Sequence, residues 1–291
     1  MGSDNKEKHM AEIDLHGKVA IVTGGGRGMG RSMAEALVAA GASVTITAAR
    51  EGGELERTRA GIAARFGADR IHAMVADVSD EPSCLKTRDA TLERFNGLHL
   101  LVNNAARGHK FIFDANPGVP MDFWTADSAA WKLIVDTNIN GPFLMAKAVT
   151  PHFLDQNYGR IVNITATEGS LQKGRNSPYG TSKAALESMT LTWSKDLAGT
   201  GKNVTCNSLS PGGATLTGMV YEDYGERKLL DPDIMGPPIV WLASELSNGI
   251  TGKRFVAKEW DTALPPAEAA KGAIGGPALM PPPEILPMTQ R

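Results

Sequence analysis

Apolar positions along the chain fall into short runs that alternate with stretches of helical spacing. Residues 18–23 form a compact apolar run ending in glycines, the pattern of a buried strand. Over residues 29–40, Met33, Ala36, Leu37 and Ala40 recur at helical spacing. Residues 43–47 read as strand again. Residues 70–75 and 98–102 supply a third and a fourth strand, residues 160–165 a fifth and residues 204–209 a sixth. A long helix is expected over residues 178–198, between the last two. Strands alternating with helices imply parallel strands joined by right-handed crossovers. The expected fold is α/β: a doubly wound parallel sheet, Rossmann-like, with helices on both faces.

Length changes this picture little, since 291 residues fit one large α/β domain or two small ones. No internal boundary shows, so residues 11–262 read as a single Rossmann-type domain. Residues 1–10 read as a tag, with His9-Met10 resembling a cloning scar. Residues 263–291 read as an extended tail rich in Pro, Ala and Gly, or alternatively as an arm over its own or a neighbouring subunit. A hydrophobic share of 42% against 21% charged residues suits a globular protein with a substantial core. The formal net charge of -2 offers no basic footprint, so neither nucleic acid nor a membrane surface is an expected partner. Cys84 and Cys206 are too few for a disulfide framework or a metal cluster. No metal is expected, the thiols read as reduced, and the expected location is cytoplasmic.

Candidate chemistry begins where the first strand meets the first helix. There the chain reads Thr23-Gly24-Gly25-Gly26-Arg27-Gly28-Met29-Gly30. Glycines let backbone approach a pyrophosphate, and the helix N-terminus offers unpaired N–H groups. Gly24, Arg27, Gly28, Met29 and Gly30 are therefore candidate dinucleotide contacts. An acid at the end of the second strand would hold a ribose 2′-hydroxyl, but that position carries Ala48. Arg50 lies just beyond and Arg27 sits in the glycine loop; both suit a 2′-phosphate. This charge pattern favours NADP(H) over NAD(H), and the choice reopens if Arg50 only starts the next helix in solvent.

The other end of the chemistry is Tyr179-Gly180-Thr181-Ser182-Lys183. Carbonyl reduction needs a hydride on carbon and a proton on oxygen. A tyrosine hydroxyl, with an unperturbed pKa of about 10, needs help to act near neutrality. A lysine four residues later shares its helix face, and its charge is expected to lower the tyrosine pKa.

The spacing T-G-x-x-x-G-x-G resembles the short-chain dehydrogenase/reductase family. So do Asp77-Val78, Asn103-Asn104-Ala105-Ala106, Tyr179-x-x-x-Lys183 and Pro211-Gly212-Gly213, in family order over residues 17–261. The resemblance implies an NAD(P)-dependent oxidoreductase acting on a small-molecule ketone or secondary alcohol. Asp77 and Val78 would contact adenine. Asn104 and Ala105 would line the dinucleotide, and Pro211 and Gly212 would flank the nicotinamide. Lys183 would also hold the nicotinamide ribose. Asn138, in Asp136-Thr137-Asn138-Ile139-Asn140-Gly141-Pro142, resembles the family asparagine that kinks a helix and passes protons through water. The family's C-terminal end lies at a subunit interface, so a homo-tetramer or homo-dimer is expected. Here the family's acidic-Gly-Gly turn is replaced by Ala257-Lys258-Glu259-Trp260-Asp261.

The chain departs from the family at one catalytic position. A serine is usual thirteen residues before the tyrosine, and here that residue is Ala166. Thr165 or Thr167 can supply the hydroxyl only if the strand bulges or has already ended, because alternate strand residues face opposite ways. Ser170 or Glu168 can also stand in. The remaining reading is a slow enzyme that relies on Tyr179 alone.

The segment between Asn104 and Asn138 is longer than the family's. Its Phe111, Phe113 and Trp124, with Met219 further on, suggest a pocket for a bulky, mostly apolar substrate; ordinary packing under a loop is the plainer reading. A dehydratase or epimerase is not expected, because it would carry a longer substrate domain. A dinucleotide-binding regulator or redox sensor with little turnover rests on Ala166 alone.

Overall fold

The computed structural model describes residues 13–50, 52–108, 122–217 and 229–276. Its centre is a seven-stranded parallel sheet. The strands are β1 (Val19–Val22), β2 (Ser43–Ala48), β3 (Ile71–Val75), β4 (Leu100–Asn103), β5 (Gly159–Ile164), β6 (Val204–Ser210) and β7 (Arg254–Val256). Their order is β3-β2-β1-β4-β5-β6-β7. Every residue of β1, β4, β5 and β6 is buried, as expected where helices cover both faces of a parallel sheet. One layer packs Val22, Leu37, Ile46, Ile239 and Phe255. The opposite layer packs Ile21, Leu101, Val149, Phe153 and Ile161.

Chain order turns around between β1 and β4, since β1 pairs with β2 on one side and with β4 on the other. A crevice opens at such a switch point, outside the carboxyl ends of the strands. Three helices follow the first three strands: α1 (Gly28–Ala39), α2 (Glu54–Phe66) and α3 (Glu81–Phe95). After β4 come α4 (Ser128–Val135) and α5 (Gly141–Asp155), joined by a π turn over Asp136–Asn140. This turn is the helix break expected at Gly141-Pro142. Pro142 sits in the first turn of α5 and offers no N–H, so it interrupts the ladder running in from the π turn. Beyond β5 lie the short α6 (Glu168–Leu171) and the long α7 (Tyr179–Ala198). Between β6 and β7 lies α8 (Gly236–Ala243).

The C-terminal stretch differs from the extended tail expected from residue 263. Residues Pro266–Gly272 form a helix, α9, that buries Ala269 and Ala270. The chain then returns to β7: the N–H of Gly275 donates to the Arg254 carbonyl (2.8 Å), and that of Val256 donates to the Ala273 carbonyl (2.8 Å). Small alanines let this helix sit close to the sheet edge. Residues 1–12 and 277–291, which contain the expected tag and the rest of the tail, lie outside the described residues.

Candidate active site

A cleft of about 380 Å³ opens at the carboxyl ends of the central strands. Its floor is the glycine loop. Thr23 locks that loop to the loop after β4. Its hydroxyl accepts from the N–H groups of Asn104 and Ala105, both at 3.0 Å, and donates to the Val102 carbonyl (3.2 Å). The Asn104 amide donates to the carbonyls of Thr23 (2.8 Å) and Gly24 (3.1 Å). A Cβ on Gly30 would lie 2.3 Å from the Gly24 carbonyl oxygen, so only glycine permits this close turn. Gly28 opens α1 with φ +52, and no side chain caps that helix start. Its first N–H groups therefore face the cleft without a side-chain acceptor, the arrangement that cradles a pyrophosphate. This donor set fits a nicotinamide dinucleotide.

The candidate cofactor contacts largely converge. Gly24, Arg27, Gly28, Met29 and Gly30 line the floor, and Asn104 and Ala105 line one side. Arg50, Asp77 and Val78 line the end nearest β2 and β3. Ala48, where an acid was sought, lines the cleft too. Arg27 is not idle there: its guanidinium lies 3.2 Å from the Glu54 carboxylate, and Glu54 also lines the cleft. Pro211 and Gly212 are not among the lining residues; the Pro211 carbonyl accepts from the Lys258 N–H (3.2 Å) at the end of β6.

Tyr179 begins α7 and Lys183 lies one turn on, both in the cleft wall. The Lys183 ammonium is buried and donates to the Ile164 carbonyl at 2.7 Å, with the Tyr179 ring 6.0 Å away. The expected lowering of the tyrosine pKa is not found. Burial pushes the Tyr179 hydroxyl up to about 12. Burial likewise pushes Lys183 down to about 8, against the opposing pull of Glu187. Desolvation sets both shifts, and the tyrosine is a neutral phenol at neutral pH.

Asn138 lies in the π turn, fully buried behind the cleft rather than in its wall. Its amide donates to Ser182 Oγ and to the Arg107 carbonyl, both at 3.0 Å, and its oxygen accepts from the Arg107 N–H at 2.8 Å. It thereby ties α7, one residue before Lys183, to the loop after β4.

At the position of the missing serine, β5 ends at Ile164, so the following residues are free of strand alternation. Ala166 packs against Leu171, Tyr179 and Ala184. Thr165 lines the cleft, and its buried hydroxyl has no hydrogen-bond partner among the described residues. Thr167 instead caps α6: its hydroxyl donates to Ser170 Oγ (2.9 Å) and accepts from the Ser170 N–H (3.3 Å). Glu168 reaches Arg254 at 3.6 Å.

The candidate substrate wall is less supported. Trp124 is 71% exposed and stacks edge-on with Phe123 at 5.1 Å, outside the cleft, because a short surface turn carries both rings. Phe111, Phe113 and Met219 lie outside the described residues. Conversely, sequence reasoning passed over Arg107. It is buried in the cleft wall, its Nε donates to Thr137 Oγ1 (2.8 Å), and its Nη2 lies 4.0 Å from Asp77. Burial raises the Asp77 pKa, but hydrogen bonds from Ser79 and the charges of Arg107 and Arg50 more than offset it, leaving the carboxyl below its ordinary range. The available signal was an arginine directly after Asn-Asn-Ala-Ala. No group of three metal-ligating side chains occurs among the described residues.

The sequence model of the short chain dehydrogenase family matches residues 18–227. The chain belongs to this family. As a short chain dehydrogenase it is an NAD(P)-dependent oxidoreductase. It is 32% identical over 257 residues to a 3-oxoacyl-(acyl-carrier-protein) reductase of Aquifex aeolicus, covering 83% of this chain and 96% of that one. It is 33% identical over 247 residues to a 3-alpha-(or 20-beta)-hydroxysteroid dehydrogenase of Mycobacterium tuberculosis, covering 83% and 88%. Among solved structures, a short-chain alcohol dehydrogenase from Sinorhizobium meliloti superposes with a TM-score of 0.73 at 32% identity, over 84% of this chain and 96% of that chain. A 3-ketoacyl-(acyl-carrier-protein) reductase from Brucella melitensis complexed with NADH superposes at 0.72 with 27% identity, over 83% and 96%.

Proposed function

We propose that this short chain dehydrogenase interconverts a bulky, mostly apolar ketone and its secondary alcohol, with Tyr179 as the acid and base. The observation that carries the reading is the shared cleft: Tyr179, Lys183 and Thr165 line the same cavity as the glycine loop. A bound nicotinamide dinucleotide supplies or accepts the hydride. The floor from Gly24 to Gly30 would hold its pyrophosphate, and Asp77 and Val78 its adenine. Lys183 would orient its ribose. In reduction, the Tyr179 phenol donates its proton to the carbonyl oxygen; in oxidation the phenolate takes it back. Thr165 would hold the substrate oxygen in lieu of a serine at Ala166, its unpartnered hydroxyl turning from the buried wall toward the cleft. Relatives named for 3-oxoacyl and hydroxysteroid substrates support a bulky carbonyl compound.

NADP(H) is the preferred cofactor in this reading. Ala48 removes the acid that would repel a 2′-phosphate, and Arg50 and Arg27 line the cleft. The Arg27–Glu54 pair is half exposed, so exchanging Glu54 for a phosphate costs little. NAD(H) is the second reading. It is favoured by the Glu54 carboxylate in the cleft and by the NADH held in the Brucella melitensis structure. A homo-tetramer or homo-dimer is also proposed, supported by half-exposed Phe143 on α5 and Leu191 on α7.

A panel of ketones assayed for NADPH and NADH consumption tests the proposal. Apolar ketones are expected to react fastest, with NADPH. Faster turnover of small polar carbonyls would defeat the substrate reading. Dinucleotide binding without turnover on any ketone would turn the assignment to a sensor.

A further inference from the structure

Tyr179, Lys183 and Glu187 recur every four residues along α7 and so share one face. Glu187 plays no part in the proton transfer described above, yet it is buried at the turn after Lys183. Its side chain is 6% exposed, and that of its partner Arg254 on β7 is 7% exposed. Arg254 Nε donates to Glu187 Oε1 at 3.2 Å, and the Ser208 hydroxyl on β6 donates to Oε2 at 2.8 Å. The other arm of Arg254 extends to the site: Nη2 donates to the Ala166 carbonyl at 3.0 Å, and Nη1 lies 3.6 Å from Glu168. One ion pair thus spans α7, β6, β7 and the segment where the family serine is missing. Buried ion pairs add little net stability compared with apolar packing, so stability alone does not account for this one.

We propose that Glu187 and Arg254 are positioning residues: the carboxylate stabilises the Lys183 ammonium, and the guanidinium holds the Ala166–Glu168 wall against Tyr179. The direction of the Glu187 effect on Lys183 agrees with this. Among the described residues, the Tyr179 ring on the same helix and the Ile164 carbonyl on β5 face Lys183, and the charges next in reach through Glu187 are Arg254 and, beyond it, Glu168. Arg107 and Asp77 belong to the lining of the same cleft. Glu187 is the carboxylate nearest to Lys183 along the helix.

The inference rests on the proposed role of Tyr179 and Lys183, but its test does not require a substrate. Lysine labelled with ¹³C at Cε, with Lys183 assigned through Lys183→Arg, is titrated by NMR in the full-length chain. Wild-type Lys183 is expected to titrate near about 8. In Glu187→Gln the midpoint is expected to fall by roughly one pH unit, since a neutral amide no longer favours the cation. Mere loosening of the core would do the reverse and move it up toward 10.5. If Glu187→Gln does not fold, Glu187→Asp keeps the charge but draws it back from Lys183 by one methylene and is expected to shift the midpoint downward by less. A midpoint that stays fixed or rises in the folded variant overturns the proposal. With a substrate in hand, Arg254→Lys is expected to raise KM several-fold while kcat holds, because the lysine keeps the charge but not the reach to Ala166. An equal loss of kcat with KM unchanged would overturn the role given to Arg254.

Discussion

A buried hydroxyl left without a partner costs on the order of 1–3 kcal/mol, and Thr165 carries one in the cleft wall. That cost is recovered if a substrate oxygen completes the bond. Thr165→Val is therefore expected to leave the melting temperature level or higher while lowering kcat about a hundredfold. Thr167→Ala removes a helix cap instead and is expected to cost about 1 kcal/mol in urea unfolding, with kcat nearly unchanged. Ala166→Ser, which sets a hydroxyl against Tyr179, is expected to keep or raise turnover. A sharp loss of kcat in Thr167→Ala, with none in Thr165→Val, would reverse the assignment. Lys183 links activity to pH at the same scale. Its folded pKa, about 8, lies below its ordinary 10.5, so between these values the unfolded chain binds more protons than the folded one. Stability therefore rises with pH across that window, whereas kcat/KM for reduction falls as Lys183 loses its charge near pH 8. Thermal unfolding and initial rates over the same buffers check both slopes.

Among the elements, the π turn does most to join the two ends of the site. Asn138 ties it to both α7 and the loop after β4, while Asn140 merely bonds to Asp136 on the surface. Asn138→Ala removes three buried hydrogen bonds, two of them to the Arg107 backbone, and is expected to cost about 2–3 kcal/mol and to weaken dinucleotide binding. Asn140→Ala is expected to change stability by about 0.5 kcal/mol or less. Urea unfolding with dinucleotide titration separates the two; equal effects would contradict this account of the turn. The turn was legible because Gly141-Pro142 interrupts a helical pattern. The strands were legible because helices cover both their faces, leaving compact apolar runs. Helix α9 was not, since its Ala- and Gly-rich sequence shows no apolar stripe and its packing depends on a distant sheet edge. The Glu187–Arg254 pair was equally hidden, because the two residues lie 67 positions apart and meet only once β7 is laid beside β6.

For the molecule as a whole, strand order matters most. It sets the carboxyl ends of β1, β4 and β5 side by side, so one cleft receives the glycine loop, the Asn104 loop and the face of α7. The glycine loop, Asp77-Val78 and the Asn104 loop made that convergence legible, because each follows a strand end. Burial was not legible from residue spacing: Tyr-x-x-x-Lys placed the charge beside the phenol, whereas desolvation decided the pKa of both. In the proposed reduction Tyr179 delivers the proton to the carbonyl oxygen. This transfer is tested most directly by comparing single-turnover reduction of a reactive ketone in wild type and Tyr179→Phe, with dinucleotide affinity measured in both. Tyr179→Phe is expected to lose about a thousandfold in rate at nearly unchanged affinity. Equal rates in the two proteins would contradict it.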